Sequence, residues 1–273
     1  MLVDLPPLPT QRKIAAILSA YDDLIENNTR RIVILEEMAR RLYREWFVHF
    51  RFPGHEGVRM VDSELGPIPE GWEALKVTEA VHVNPRMKVP KEGLKPYVPM
   101  KSLSETSMLI EDIESRSGNS GSKFKNGDTL FARITPCLEN GKTGFVQFLP
   151  PDTIGLGSTE FIVLRSKTLS PEYVYLMARS DEFRDHAIKS MTGATGRQRV
   201  QVVCFDEFFI AHPDPETLRR FANQMSPIFQ SINLLVEKNQ NLRRTRDLLL
   251  PRLISGEIDV SKLEVNPEGL EQR

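Results

Sequence analysis

From Pro213 to Ile258 the chain reads PDPETLRRFANQMSPIFQSINLLVEKNQNLRRTRDLLLPRLISGEI, and its apolar residues fall in alternating steps of four and three. Phe221, Met225, Ile228, Ile232, Leu235, Leu242 and Leu249 mark one stripe of a heptad helix. The same spacing stands near the N-terminus, where Ile14, Leu18, Tyr21, Ile25, Leu35 and Leu42 match Phe221, Met225, Ile228, Ile232, Leu242 and Leu249, and Ile32 falls on the same stripe. Both copies open just behind a proline cluster, Pro6, Pro7 and Pro9 in the first, Pro213 and Pro215 in the second. Two long helices therefore flank everything between them, and a chain that returns to its starting side pairs them antiparallel. The expected seam consists of Leu18, Ile25, Ile32, Leu35 and Leu42 against Ile232, Leu235, Leu242 and Leu249.

Three polar residues interrupt the stripe. Asn28 and Asn239 take seam positions, and Arg246 stands where an apolar residue is due. A buried Asn lowers stability and fixes register, which suits a pair of helices that sets a distance. A drift of the stripe to the surface accounts for the same residues. A helix from Gln11 to about Phe47, with Thr10 as its cap, would be about 55 Å long at 1.5 Å per residue. Its last turn runs into Trp46-Phe47-Val48-His49-Phe50-Arg51-Phe52, an aromatic foot expected to seat it on a neighbouring domain. In the second helix, Pro227 is expected to kink the first turns or start them afresh, and Pro251 to stop the helix near Leu250.

The middle of the chain has a different texture. After a Gly- and Pro-rich connector, residues 67–212 alternate short runs of β-formers with Asn-Gly turns and then turn helical. Strands are expected over 97–100, 128–133, 144–148, 159–164 and 200–204, and helices over 171–180 and 182–191. Strands first and helices later make this an α+β domain rather than a doubly wound parallel sheet. The division is thus a first long helix in 1–52, a linker in 53–66, the α+β domain in 67–212, a second long helix in 213–258 and a frayed tail in 259–273.

Composition narrows the function. A chain of 273 residues, 40% hydrophobic, with no run of 18 apolar residues and no signal-peptide pattern, reads as a cytoplasmic protein without membrane contact. Its two cysteines and five histidines form no metal-ligand spacing, so no metal and no cofactor is expected. Gly141-Lys142-Thr143 ends like a phosphate-binding loop, yet Pro136 stands where that loop needs its first glycine. Asn84-Pro85 begins like an amino-methyltransferase signature, but Arg86 and Met87 follow. No catalytic constellation is complete.

A binding surface remains. Although net charge is only −1, residues 84–101 carry Arg86, Lys88, Lys91, Lys95 and Lys101 against one acid, and Lys123, Lys125, Arg133 and Lys142 follow. Taken singly, each is an ordinary solvated cation. In TGATGRQRVQ, residues 192–201, two glycines precede Arg197, Gln198 and Arg199. Arg can bond guanine O6 and N7, and Gln adenine N6 and N7, so the triplet has base-reading chemistry; a plain helix-to-strand connector is the alternative.

LPPLPTQRKIAAILS (5–19), REWFVHFRFPGHE (44–56), GPIPEGWE (66–73), KFKNGDTLFARITPCLENGKTG (123–144), GSTEFIVLR (157–165), MTGATGRQRV (191–200) and LLLPRLISGEI (248–258) resemble the specificity subunits of type I restriction-modification systems. The resemblance implies one target recognition domain flanked by helices that form an antiparallel coiled coil. It implies a non-catalytic chain that reads double-stranded DNA and docks modification (methyltransferase) and restriction subunits. Such subunits usually carry two recognition domains, and LPPLP normally ends the first. The resemblance therefore implies either a half-length subunit that works as a homodimer or a truncated copy. Read through that resemblance, the DNA contacts fall to Arg86, Lys88, Lys91, Lys101, Arg133, Lys142, Arg197, Gln198 and Arg199. A coiled-coil adaptor that binds protein without reading DNA fits the same helices, and salt dependence of binding separates the two.

Overall fold

The computed structural model describes residues 6–194 and 196–260. The expected frayed tail, 259–273, is corrected at its start, where Val260 is buried with Ile14 and Leu253; from residue 261 on it lies outside the described residues. Two long helices dominate the fold: α1 spans Leu8–Tyr43 and α5 spans Pro215–Ile254. The chain forms two compact units, one of Glu36–Phe229, the other of the residues up to Leu35 with those from Gln230 on.

In the helix-pair unit the two segments run antiparallel. Ile14 packs with Leu253 and Val260, Asp22 pairs with Arg246, and Asn28 meets Asn239, so one index climbs as the other falls. Ile25, Ile32, Ile232, Leu235 and Asn239 are buried. Leu18, Leu35, Leu242 and Leu249 are only half-buried. Asn28 Nδ2 donates to Asn239 Oδ1 at 2.9 Å, and Asn239 Nδ2 reaches the Ile25 carbonyl at 3.4 Å and Thr29 Oγ1 at 3.3 Å. The polar positions are thus part of the seam, not a stripe drifting outward. Such a bond is satisfied in one register only, since a slip by a turn would face each amide with hydrocarbon.

Four sequence expectations about the helices need correction. Past Ile32 the buried positions are Glu36, Ala39, Tyr43 and Trp46, one residue beyond the expected Leu35 and Leu42. A helix of 3.6 residues per turn drifts about 20° per heptad against a 3.5 repeat, which over three heptads moves the stripe most of a residue. Leu42 accordingly lies half-buried in the Glu36–Phe229 unit, outside the helix-pair seam. Helix α1 also starts at Leu8, so Thr10 is inside its first turn, where Pro9 sacrifices no hydrogen bond. And α5 neither starts afresh at Pro227 nor stops at Pro251 but continues to Ile254; the donors missing at the two prolines strand the carbonyls of Asn223 and Asp247, both exposed residues.

The middle unit starts with the end of α1 and a π-helical turn, Arg44–Val48, that directs Trp46 and Phe47 inward. Phe47 lies 4.6 Å, centroid to centroid, from both Tyr173 and Phe221, and 5.9 Å from Trp72. These contacts tie the end of one helix and the start of the other into the domain, so the compact unit is wider than 67–212. Glu36 is buried and accepts hydrogen bonds from Ser107 Oγ at 2.6 Å and the Met108 amide at 2.9 Å.

From there the chain forms β1 (Met60–Val61), β2 (Ile68–Pro69), β3 (Glu73–Lys76), α2 (Val77–Ala80), β4 (Val81–Val83), β5 (Lys95–Val98), β6 (Glu114–Arg116), β7 (Ser122–Phe124), β8 (Thr129–Ala132), β9 (Thr143–Phe145), β10 (Gly155–Gly157) and β11 (Phe161–Ser166). Helices α3 (Pro171–Arg179) and α4 (Asp181–Lys189) follow, each capped by a serine hydroxyl, and β12 (Phe209–His212) leads to α5. One sheet has the order β6-β5-β10-β7, the other β4-β11-β8-β9; β12 pairs with β3 and β1 with β2. Only β10 with β5 is parallel among these pairs. Phe124, Leu130, Phe161 and Val163 fill the space between strands, and Phe183 stacks on Phe205 at 5.0 Å. The α+β class expected from sequence is the class observed. The strand expected near 200–204 is instead a short 3-10 turn, Val202–Glu207, whose Cys204 and Phe205 turn inward.

Candidate nucleic-acid interface

An open groove of about 710 Å³ lies on the middle unit. One wall is the segment Asn84 to Lys88, leaving β4; the others come from Gly121 to Lys123, Arg133 at the end of β8, and Thr159 and Phe161 at the start of β11. Asn84 makes the wall turn. It sits in left-handed backbone (φ 50°), its amide donates to the Val163 carbonyl at 2.7 Å, and its Oδ1 accepts from the Val163 amide at 2.9 Å. The side chain thereby replaces the next rung of the ladder, and the chain swings outward carrying Arg86 and Lys88. The opposite wall depends on glycine. A Cβ on Gly121, whose φ is 101°, would stand 2.2 Å from the Gly157 carbonyl oxygen, so only glycine allows the two backbones so close.

Four cations reach this groove: Arg86 and Lys88 are exposed, Lys123 and Arg133 half-buried. Phe161, Met87 and Val163 supply its apolar surface. Arg133 Nη2 donates to the Val200 carbonyl at 3.0 Å, while its Nε is enclosed without a hydrogen-bond partner. That arginine joins the groove to the glycine loop.

The loop is a closed hairpin. Thr192 and Arg199 exchange backbone hydrogen bonds at 3.1 and 2.9 Å, the Arg197 amide donates to Ala194 at 2.9 Å, and Gly193 takes φ 128°. Ile134 bridges to Arg199, and the Val200 amide donates to the Arg133 carbonyl at 2.9 Å, so the hairpin is stitched to the chain leaving β8. At its base the Arg199 guanidinium meets Glu160, with Nε 2.9 Å from Oε2 and Nη2 2.8 Å from Oε1. The bond to Arg199 holds the Glu160 carboxyl below its usual range, and Glu160 in turn raises Arg199.

Of the residues singled out from sequence, Arg86, Lys88 and Arg133 share the groove, and Arg197, Gln198 and Arg199 belong to the adjoining hairpin, Arg197 exposed and Gln198 half-buried. Lys101, Lys142 and Lys91 do not line the groove. Lys101 pairs with Glu114 at 3.1 Å, Lys142 donates to the Met100 carbonyl at 3.3 Å, and Lys91 stands exposed on the loop before β5. Glu160 escaped the sequence reading because an acid is no sign of a nucleic-acid surface; its side-chain contact with Arg199, not its type, gives it meaning.

No protein-family model matches the chain. The chain is 26% identical over 274 residues to the type I restriction enzyme MjaIX specificity subunit of Methanocaldococcus jannaschii, covering 96% of this chain and 62% of that one. It is 29% identical over 174 residues to the type I restriction enzyme EcoEI specificity subunit of Escherichia coli, covering 61% of this chain and 29% of that one. Among solved structures, the type I restriction-modification S subunit from M. genitalium shares its fold at a TM-score of 0.54 and 12% identity, over 90% of this chain and 61% of that one. The chain is thus a homologue of type I restriction enzyme specificity subunits, and spans less than two thirds of the length of these relatives.

Proposed function

We propose that the chain is the DNA-recognition subunit of a type I restriction-modification complex, itself without catalysis. Its middle unit reads one half of a split site. Arg86, Lys88 and Lys123 contact phosphates and set the position; Arg133 and the Arg197–Gln198–Arg199 hairpin face base edges. The helix pair, locked in register by Asn28 and Asn239, serves as spacer and docking surface for modification and restriction subunits or a second copy of the chain. Its exposed Leu24, Val33, Ile34, Leu234 and Leu248 supply apolar surface for such partners.

The observation that carries this reading is the convergence of four cations, from three separate stretches of the chain, on one groove beside a triplet with base-reading chemistry in a protein of net charge −1. Global charge does not produce such a surface; local placement does. The test is binding of the full chain, with its modification partner, to duplex DNA across salt concentrations. A DNA reader loses affinity along a straight log–log line with a slope of about −0.9 per phosphate contacted. Salt-independent binding, or none, would favour a coiled-coil adaptor for proteins.

A further inference from the structure

A carboxylate beside a DNA-facing arginine needs an explanation, because it repels the phosphates that the surrounding cations attract. Glu160 is fixed from both sides: its carbonyl accepts from the Arg133 amide at 3.0 Å and its amide donates to Ser158 Oγ at 3.2 Å. Its side chain is 24% exposed, that of Arg199 46%, so the acid sits beneath the arginine. A guanidinium has five N–H donors in a rigid fork. Glu160 engages the edge made of Nε and Nη2. The end-on edge, made of Nη1 and the second hydrogen of Nη2, is left directed away from the carboxylate, and it is the edge that fits guanine O6 and N7 together.

Building on the DNA-reading function above, we propose that Glu160 is a specificity-positioning residue. It holds Arg199 in the one orientation that presents the end-on edge to a guanine in the major groove. It also cancels the arginine's charge, so that the pair contributes base discrimination and little sequence-independent attraction. Facing a wrong base, Arg199 keeps its bond to Glu160 and cannot swing to a phosphate, while the carboxylate repels the backbone. Discrimination then arises partly from a built-in repulsion.

The experiment uses the full chain with its modification partner and duplexes selected by the wild type from a random-sequence pool. Wild type, Glu160→Gln, Glu160→Ala, Arg199→Ala and the Glu160→Ala/Arg199→Ala double variant are compared on single-base-pair variants of the selected duplex at two salt concentrations. Melting temperatures are checked first; should Glu160→Ala not fold, Glu160→Gln carries the test, since it keeps the shape and one acceptor oxygen. Wild type should prefer G·C at one position by about tenfold or more. Glu160→Ala should lose most of that preference while binding random duplex more tightly, with a salt slope steeper by about one. Glu160→Gln should fall between. Arg199→Ala should lose preference at the same base pair without the fall of about one in slope expected for a free cation. The double variant should discriminate no worse than Arg199→Ala.

A wild-type base profile in the Glu160 variants, or a loss at a base pair other than the one Arg199 affects, overturns the proposal. A wild type that binds every duplex alike fails at the earlier step and removes the DNA reading itself, along with this inference.

Discussion

The helix pair and the middle unit hold themselves together by different means. Between the long helices, the enclosed residues are Ile14, Ile25, Ile32, Ile232, Leu235, Leu253 and Asn239, and four of the expected seam leucines remain half-buried. In the middle unit, Phe131, Phe183, Phe205, Phe221 and Tyr173 are almost completely enclosed and touch one another edge-on or stacked. A helix pair with a thin seam gains little per residue and relies on a polar bond for its register. A domain with a thick aromatic core gains much more and can hold loops such as the 192–199 hairpin in fixed positions.

Truncation should expose the difference most strongly in the aromatic core. Phe205→Ala removes a ring stacked on Phe183 and should cost about 3–5 kcal/mol, read as a lower urea midpoint for the transition that reports the middle unit. In the helix pair, Ile232→Ala should cost about 2–4 kcal/mol, but Leu242→Ala, only half-buried, about 1 kcal/mol or less. Equal losses at Ile232 and Leu242 would mean that the seam is thicker than the structure has it. Asn239→Ala should cost about 1–3 kcal/mol, because it strands the Asn28 amide in the seam. Replacing both asparagines by leucine should raise the melting temperature instead, and loosen the register, detectable as several rather than one dominant product when cysteines placed along the two helices are cross-linked. The smallest effect belongs to the groove: Lys88→Ala should leave stability unchanged and lower the salt slope of DNA binding by about one.

The same contrast explains what could be read from the sequence. The helices were legible because a periodic stripe is local information, repeated twice. The errors there, Leu35 and Leu42 instead of Glu36 and Tyr43, come from the small mismatch between 3.5 and 3.6 residues per turn, which accumulates along a long helix. Pro227 as a restart and Pro251 as a stop misled because a proline costs less where the stranded carbonyl belongs to an exposed residue. In the middle unit, strands of β-branched and aromatic residues such as β8 and β11 were legible, but β10, which is Gly155-Leu156-Gly157, carries no propensity signal. Its glycines are there because a Cβ on Gly155 would stand 2.2 Å from Phe124, a tertiary fact with no local trace. The site divides in the same way. Arg133 and the Arg197 to Arg199 triplet stood out by type and setting, but their convergence, and the Glu160 carboxylate beneath Arg199, depend on which strands become neighbours.

The central claim is that the middle unit reads sequence through the groove and its hairpin. Its most direct test is competition between the selected duplex and the same duplex with its half-site scrambled, for the full chain with its modification partner, comparing wild type with Arg133→Ala/Arg199→Ala and with Arg86→Ala/Lys88→Ala. The account predicts that the first double variant binds the two duplexes nearly alike. The second should keep the wild-type ratio of affinities, while both affinities drop and the salt slope falls by about two. A discrimination ratio that survives the loss of Arg133 and Arg199 unchanged would contradict it.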